Sequence, residues 1–400
     1  MFQPLEGVRV IDLSQVLAGP YATYLMGMMG AEVIKIEKPG EGDWTRRVGP
    51  LPELGDRRMG LGFWTQNAAK KSVTINLKTP DGLEIARKLI SGANVFVENF
   101  KPGVAERLGL GFDAVRKIKN DIVYCSISAY GQNGPLSPRP AYDHVIQGMC
   151  GIMLTTGKLG DGPTKVGAPY VDFATGMNAA MAVMAALIEV RRTGKAVNVD
   201  VAMLDTALML MASLMTQQKS ADWKPVQNGN EAWSASPSSG AFETASGLLM
   251  LAANNEPQFR KLCSVIGRED ILDDPRWDTP EVRRENGRDL RRTLDETFLT
   301  RTADEWEAVL AQADVPAARA RSLDETLAEP QIAARGLLSE MHLEGHDRAI
   351  HVPSLSFRAN GEAVAPRSLP PALGADTERV LRALGIDGAE VERLRKGGAI

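Results

Sequence analysis

One acidic residue with small neighbours is the first place in this chain to look for chemistry. It lies in Val166-Gly167-Ala168-Pro169-Tyr170-Val171-Asp172-Phe173-Ala174-Thr175-Gly176-Met177-Asn178, ahead of the apolar run Ala179 to Val190. The run is rich in Ala, Met and Leu and stops at Arg191-Arg192-Thr193-Gly194, basic residues followed by a glycine, so it reads as a helix. Asp172 is then expected as its N-cap, with the free N–H groups of the first turn holding the carboxylate in its anionic form. Such a group is a nucleophile or a base rather than an acid. It could equally be a cap and nothing more. Gly167 and Gly176 on either side leave room for a ligand to approach the backbone, and free N–H groups near the helix start could stabilise a developing oxyanion.

The elements that must carry this residue follow from β-branched runs separated by helical patterns. Gly7–Leu13, Ala31–Glu37, Ser72–Leu77, Val95–Glu98, Ile122–Ser128 and Val197–Ala202 read as strands. Helices are expected over Tyr21–Met29, from Pro80 to about Ile90, and over Met203–Met215, which makes an α/β protein with a parallel, Rossmann-like sheet. The loop after the first strand, Gln15-Val16-Leu17-Ala18-Gly19-Pro20, has one glycine where a dinucleotide fingerprint needs three, which argues against NAD or FAD at that turn. Glu37 then reads as a plain strand-end charge. Lys38–Asn67 reads as a long loop. In open sheets ligands bind at the carboxyl ends of strands, and three such ends carry polar or Gly-rich loops: 14–20, 99–107 and 129–144.

Four hundred residues exceed one ordinary core, so two domains are expected. The boundaries are read as 1–216 for the large domain, 217–240 for a linker, 241–330 for a smaller α+β domain, and 331–400 for a segment returning to the first. Apolar residues make up 44% and charged residues 24%, and the net charge is −4. That balance gives no reason to expect nucleic acid, or an anionic membrane surface, as a partner. The longest apolar segments are interrupted by Asn, Asp or Arg, so no membrane span is expected. Three widely spaced cysteines without CxxC pairing suggest a reducing, cytoplasmic setting, and four histidines without ligand spacing suggest no metal. The chain starts almost directly with a strand, which leaves no room for a leader peptide.

Several blocks resemble one family in order and spacing. They are Leu17-Ala18-Gly19-Pro20, Gly30 to Glu37, Gly42-Asp43, Asn76-Leu77-Lys78-Thr79-Pro80, Val97-Glu98-Asn99-Phe100 with Pro102-Gly103, Gly131-Gln132-Asn133-Gly134-Pro135, and the stretch around Asp172. The chain resembles the class III CoA-transferases (CaiB/BaiF type), which include formyl-CoA transferase and, as a racemase branch, α-methylacyl-CoA racemase. The resemblance implies two chains interlocked as a homodimer and coenzyme A thioesters and small carboxylates as substrates. It further implies acyl transfer by ping-pong kinetics through a mixed anhydride on Asp172. Val16, Ala18, Leu77, Asn99 and Phe100 then correspond to the coenzyme A groove, Lys38, Lys78 and Arg107 to partners of its phosphates, and Leu17, Tyr142 and Asp143 to the substrate side. Racemase relatives carry a histidine where this chain has Tyr142. The alternatives are a 2-methylacyl-CoA racemase pairing Asp172 with His144, and a non-catalytic coenzyme A-binding protein. Leu17 and the stretch Ser234 to Gly240 depart from the formyl-CoA branch. The remaining texture is closer to relatives acting on dicarboxylates, for which Arg46, Arg47, Arg57 and Arg58 are candidate cations.

Overall fold

The computed structural model describes residues 2–232 and 234–400. Two compact units emerge, one from residues 2–153, 165–224 and 330–400, the other from 154–164 and the described part of 225–329.

The larger unit is built on six parallel strands: β1 (Arg9–Asp12), β2 (Glu32–Glu37), β3 (Lys71–Thr74), β4 (Val95–Glu98), β5 (Val123–Ser128) and β6 (Val197–Ala202), in the order β3-β2-β1-β4-β5-β6. Strands buried on both faces need apolar residues at successive positions, and this sheet divides them by pleat. Val10, Val33, Val95, Val97, Val123 and Cys125 join one core with the helix Ala18–Met28 and the long helix Tyr170–Thr193. Ile11, Ile34, Phe96 and Tyr124 join the other core with the helix Pro80–Ser91 and the C-terminal residues Val380, Leu381, Val391 and Leu394. The returning chain is also pinned through its backbone. Asn76 N donates to Ala399 O at 2.8 Å, and Ser72 N donates to Asp376 Oδ2 at 2.9 Å.

The strand order reverses direction between β1 and β4, which creates a crevice at the carboxyl ends of both. The loop after β1 takes its shape there without a glycine fingerprint. Val16 sits at φ +72°, a left-handed conformation that is a genuine outlier for a β-branched residue. Its N–H donates to Asp43 Oδ2 at 3.1 Å and its carbonyl accepts from Gln66 Nε2 at 2.7 Å. Asp43 is bonded to Lys35 at 3.1 Å, Lys35 donates to Ser14 O at 2.6 Å, and Asp12 takes the Ser14 N–H together with Lys70 at 3.0 Å. All four charged side chains are fully buried. A surrounding network of this kind can hold a strained residue in place.

Several expectations change. Lys38–Asn67 contains the short helices Trp44–Arg47, Pro52–Asp56 and Leu61–Asn67, started by Asp43 as a cap and by Pro52 at the first helical position. Glu37 is buried under a two-pronged pair with Arg46, whose guanidinium also lies 3.7 Å from the Phe63 ring centroid. Met203–Met215 is broken into Met203–Met209 and Ala212–Ser220. The helix Tyr170–Thr193 is long and apolar enough by length and composition to cross a membrane. One side of it, through Ala179, Ala180, Val183 and Val190, is packed into the core of this unit.

In the smaller unit, Ser239–Glu243 and Leu248–Ala252 form an antiparallel hairpin, and Ala317–Arg319 adds a third antiparallel strand. Phe259, Leu262, Leu290, Leu294, Phe298 and Trp306 fill its core.

Gly176 serves packing within the larger unit rather than ligand approach. A Cβ placed there would lie 2.7 Å from Ala18 O and 3.0 Å from Tyr21 Cδ1. Helix propensity alone favours Gly176→Ala by about 1 kcal/mol, whereas overpacking against backbone costs about 1–3 kcal/mol. Urea denaturation is expected to show Gly176→Ala destabilised, and a stabilised variant would mean that the two helices are not in close contact.

Candidate functional site

At the switch point the loops after β1, β4 and β5 enclose a cleft of about 470 Å³. Its walls include Val16, Leu17 and Ala18, then Asn99, Phe100 and Lys101, then Ser128, Arg139 and Tyr142, with Asp172 also exposed to it. The first two loops are tied together by one amide. Asn99 Nδ2 donates to Gln15 O and Asn99 Oδ1 accepts from Gln15 N, both at 2.8 Å. All three loops singled out by their position after strands therefore meet at one place.

The start of the long helix differs from the sequence expectation. The helix begins at Tyr170 after Pro169, which provides no side-chain cap, and Asp172 lies inside the first turn. The cap comes from elsewhere in the chain. Asp143 Oδ2 accepts from Val171 N at 2.9 Å and from Asp172 N at 3.2 Å, and its other oxygen accepts from Gln147 Nε2 at 2.6 Å. Gln147 Oε1 in turn accepts from Val166 N at 2.8 Å, tying down the approach to the helix. Tyr170 N donates to Ala168 O and Phe173 N to Pro169 O, so the N–H groups of the first turn are all engaged. They are not free to serve an oxyanion, which corrects that expectation.

The protonation state of Asp172 changes with this geometry. Burial, reinforced by the negative charge of Asp143, pushes its carboxyl up to about 7. The group is not held anionic by its helix but balanced between its two forms at neutral pH.

The residues matched to the coenzyme A groove divide into two places. Val16, Ala18, Asn99 and Phe100 line the cleft, as do Leu17 and Tyr142 from the substrate side, whereas Asp143 is buried at the helix start. Leu77 packs against the second core of the sheet. Lys38 and Lys78 lie outside the cleft lining, and both act on Glu41. The Lys38 ammonium bonded to Glu41, helped by the charges of Lys78 and Arg47, holds the Glu41 carboxyl below its usual range. Arg107 is exposed one turn beyond Gly103. Arg46 is committed to Glu37, and Arg57 donates to the carbonyls of Gly345 and Glu344. His144 is exposed outside the cleft lining, its ring stacked beside that of Tyr142.

Lys101, Ser128 and Arg139 are among the lining residues not singled out from the sequence. Lys101 and Arg139 contribute exposed cations. Ser128 contributes a buried hydroxyl that has no hydrogen-bond partner among the described residues. Position was the available signal: all three lie in or beside the loops at the carboxyl ends of β4 and β5. Among the described residues no group of His, Cys, Asp and Glu side chains is arranged to hold a metal ion.

The family profile described as CoA-transferase family III matches residues 5–377. The chain belongs to this family. It is 35% identical over its whole length to succinyl-CoA:glutarate CoA-transferase from Mus musculus, covering 90% of that protein. It is 36% identical to succinate–glutarate CoA-transferase from Agrobacterium fabrum, over 85% of this chain and 86% of that one. A crystal structure of a CaiB/BaiF family protein from Brucella suis superposes with a TM-score of 0.82 at 31% identity, across 96% of this chain and all of the other. The family III CoA-transferase is thus an α/β enzyme of the CaiB/BaiF fold that works on coenzyme A thioesters, and its cleft has to be read with such ligands in mind.

The raised proton affinity of Asp172 has a cost that can be measured. Between the unfolded value near 3.8 and the folded value of about 7, the native state binds more protons than the unfolded state, so stability falls as pH rises through that window. Asp172→Asn escapes this loss. It is expected to match wild type near pH 4 and to exceed it by roughly 2–4 kcal/mol at pH 8 in urea denaturation. Equal stabilities across the range would contradict the assignment.

Proposed function

We propose that this enzyme moves coenzyme A from a dicarboxylic acyl-CoA to a free carboxylate by way of the Asp172 carboxylate. The observation that carries the reading is a single partly desolvated carboxylate facing the switch-point cleft, in the family III fold. In the first step a carboxylate oxygen of Asp172 attacks the thioester carbonyl. The carbon–sulfur bond breaks, giving an aspartyl–acyl anhydride and the coenzyme A thiolate. The thiolate then attacks the aspartyl carbonyl and releases the donor acid, leaving an aspartyl-CoA thioester. The acceptor carboxylate reverses both steps and restores Asp172.

Desolvation makes Asp172 a stronger nucleophile than an exposed carboxylate once it is ionised. The cleft walls Val16, Leu17, Ala18 and Phe100 exclude water from the anhydride, and the Ser128 hydroxyl and the cations at Lys101 and Arg139 remain for ligand groups. A dicarboxylate needs a cation for its far end, and Arg139 suits that task better than Arg46, which Glu37 already holds. The Lys38, Arg47 and Lys78 cluster suits the phosphates of the nucleotide. The names of the mouse and Agrobacterium relatives support succinate and glutarate as the substrate class.

The long helix also carries Met177, Met181 and Ile188 to its outer side, the last 69% exposed. Such apolar exposure supports a homodimer, as the resemblance implied. The three buried free cysteines support a cytoplasmic location.

Asp172→Ala and Asp172→Asn are expected to lose at least about 10³-fold in kcat while binding coenzyme A. Wild-type initial rates are expected to give the parallel lines of ping-pong kinetics with succinyl-CoA and glutarate. Turnover of Asp172→Ala within tenfold of wild type would refute the mechanism.

A further inference from the structure

Asp143 is a buried charged group beside Asp172 for which nucleophilic catalysis by Asp172 provides no role. Its carboxylate meets the helix start through two backbone N–H groups, one of them belonging to Asp172 itself, and Gln147 fixes its remaining oxygen. Gln147 is fully buried and bonded onward to Val166 N, so the carboxylate cannot turn away without breaking its bonds to Val171 N, Asp172 N and Gln147 Nε2.

A neutral Asn or Ser would satisfy a helix start as well as an aspartate does. A negative charge beside a second carboxylate is instead costly, because each disfavours ionisation of the other. We propose that Asp143 is a positioning residue whose fixed charge, locked in place by Gln147, tunes the basicity of Asp172 for attack on the thioester. The inference rests on the reading of Asp172 as nucleophile. The charge and the two bonds act together: the bonds fix the backbone from which Asp172 projects, and the charge raises the proton affinity of its carboxylate, hence its nucleophilicity once ionised.

The other groups around Asp172 are of a different kind. Lys101 and Arg139 share the cleft and are exposed, so solvent and salt screen their opposing pull. Tyr142 lines the same cleft, and Tyr170 precedes Asp172 on its own helix, where burial pushes its phenol up to about 12. Asp143 is the one charged residue that acts together with burial to raise the Asp172 carboxyl.

The test is a titration that needs no turnover. The full-length protein, labelled with ¹³C at aspartate carboxyls, is followed by NMR from pH 4 to 9, and the Asp172 resonance is assigned by its loss in Asp172→Asn. Asp143→Asn and Asp143→Ser both keep a helix cap and remove the charge. In each, the Asp172 midpoint is expected to fall by about one unit or more, and the acid limb of kcat/KM to move with it. Gln147→Leu keeps the charge and releases the carboxylate; its midpoint is expected to stay within about half a unit of wild type while kcat falls.

An unmoved Asp172 midpoint in both Asp143 variants, measured on folded protein, would overturn the proposal, since a purely structural cap predicts that result. Unfolding of both Asp143 variants, with no change in kcat for Gln147→Leu, would also overturn it. Retained turnover in Asp172→Asn would instead overturn the underlying assignment of the nucleophile, and the titration result would stand apart from it.

Discussion

The start of one helix has to accommodate two carboxylates, and the rest of the site follows from how that conflict is resolved. Asp143 takes the backbone donors of Val171 and Asp172 and so spends its charge on hydrogen bonds. Asp172 is left partly desolvated, without a compensating cation bonded to it among the described residues, facing the cleft. A carboxylate in that state resists ionisation at neutral pH, and once ionised it is poorly solvated and reactive. The division of labour between two chemically identical groups is therefore set by environment. One is satisfied by hydrogen bonds at the helix start, the other is under-satisfied and available for chemistry.

The cleft in front of Asp172 needs an equally specific floor, and here the chain departs from the glycine-rich solution of dinucleotide-binding proteins. A loop with Val16 in a left-handed conformation is held by the Asp43, Lys35, Asp12 and Lys70 charges and by Gln66. Buried ion pairs add little net stability, but removal of one partner is severe. Their value in this fold is geometric: they fix the loop after β1 at the point where the neighbouring strand β4 delivers Asn99. The amide of Asn99 then joins the two loops on either side of the crevice.

Much of this architecture could be read directly from the residues. Runs such as Val95–Glu98 and Ile122–Ser128 are apolar at successive positions, because both faces of a parallel sheet are covered, and they became β4 and β5. The convergence of three strand-end loops was legible for the same reason, since parallel strands deliver their carboxyl ends to one edge. The role of Asp143 was not legible. It acts across 28 residues on a helix whose own sequence offers Asp172 as a plausible cap, and no local spacing distinguishes the two. The burial of Arg46 was hidden likewise, since a charged residue among glycines and prolines reads as surface until Glu37 and Phe63 are seen around it. Lys101 and Arg139 were passed over because an exposed cation on a loop carries no pattern, and only the cleft gives it meaning.

The central claim is that an oxygen atom of Asp172 becomes covalently involved in each turnover. If the acceptor carboxylate is supplied with both oxygens as ¹⁸O, its attack on aspartyl-CoA places one labelled oxygen in the bridge of the second anhydride. Attack of the thiolate on the acceptor carbonyl then leaves that oxygen on Asp172. Mass spectrometry of the peptide containing Asp172, after a single turnover with labelled glutarate, is expected to show one ¹⁸O in place of ¹⁶O at that side chain. An unlabelled Asp172 peptide, in protein that has demonstrably formed the product thioester, would contradict the account.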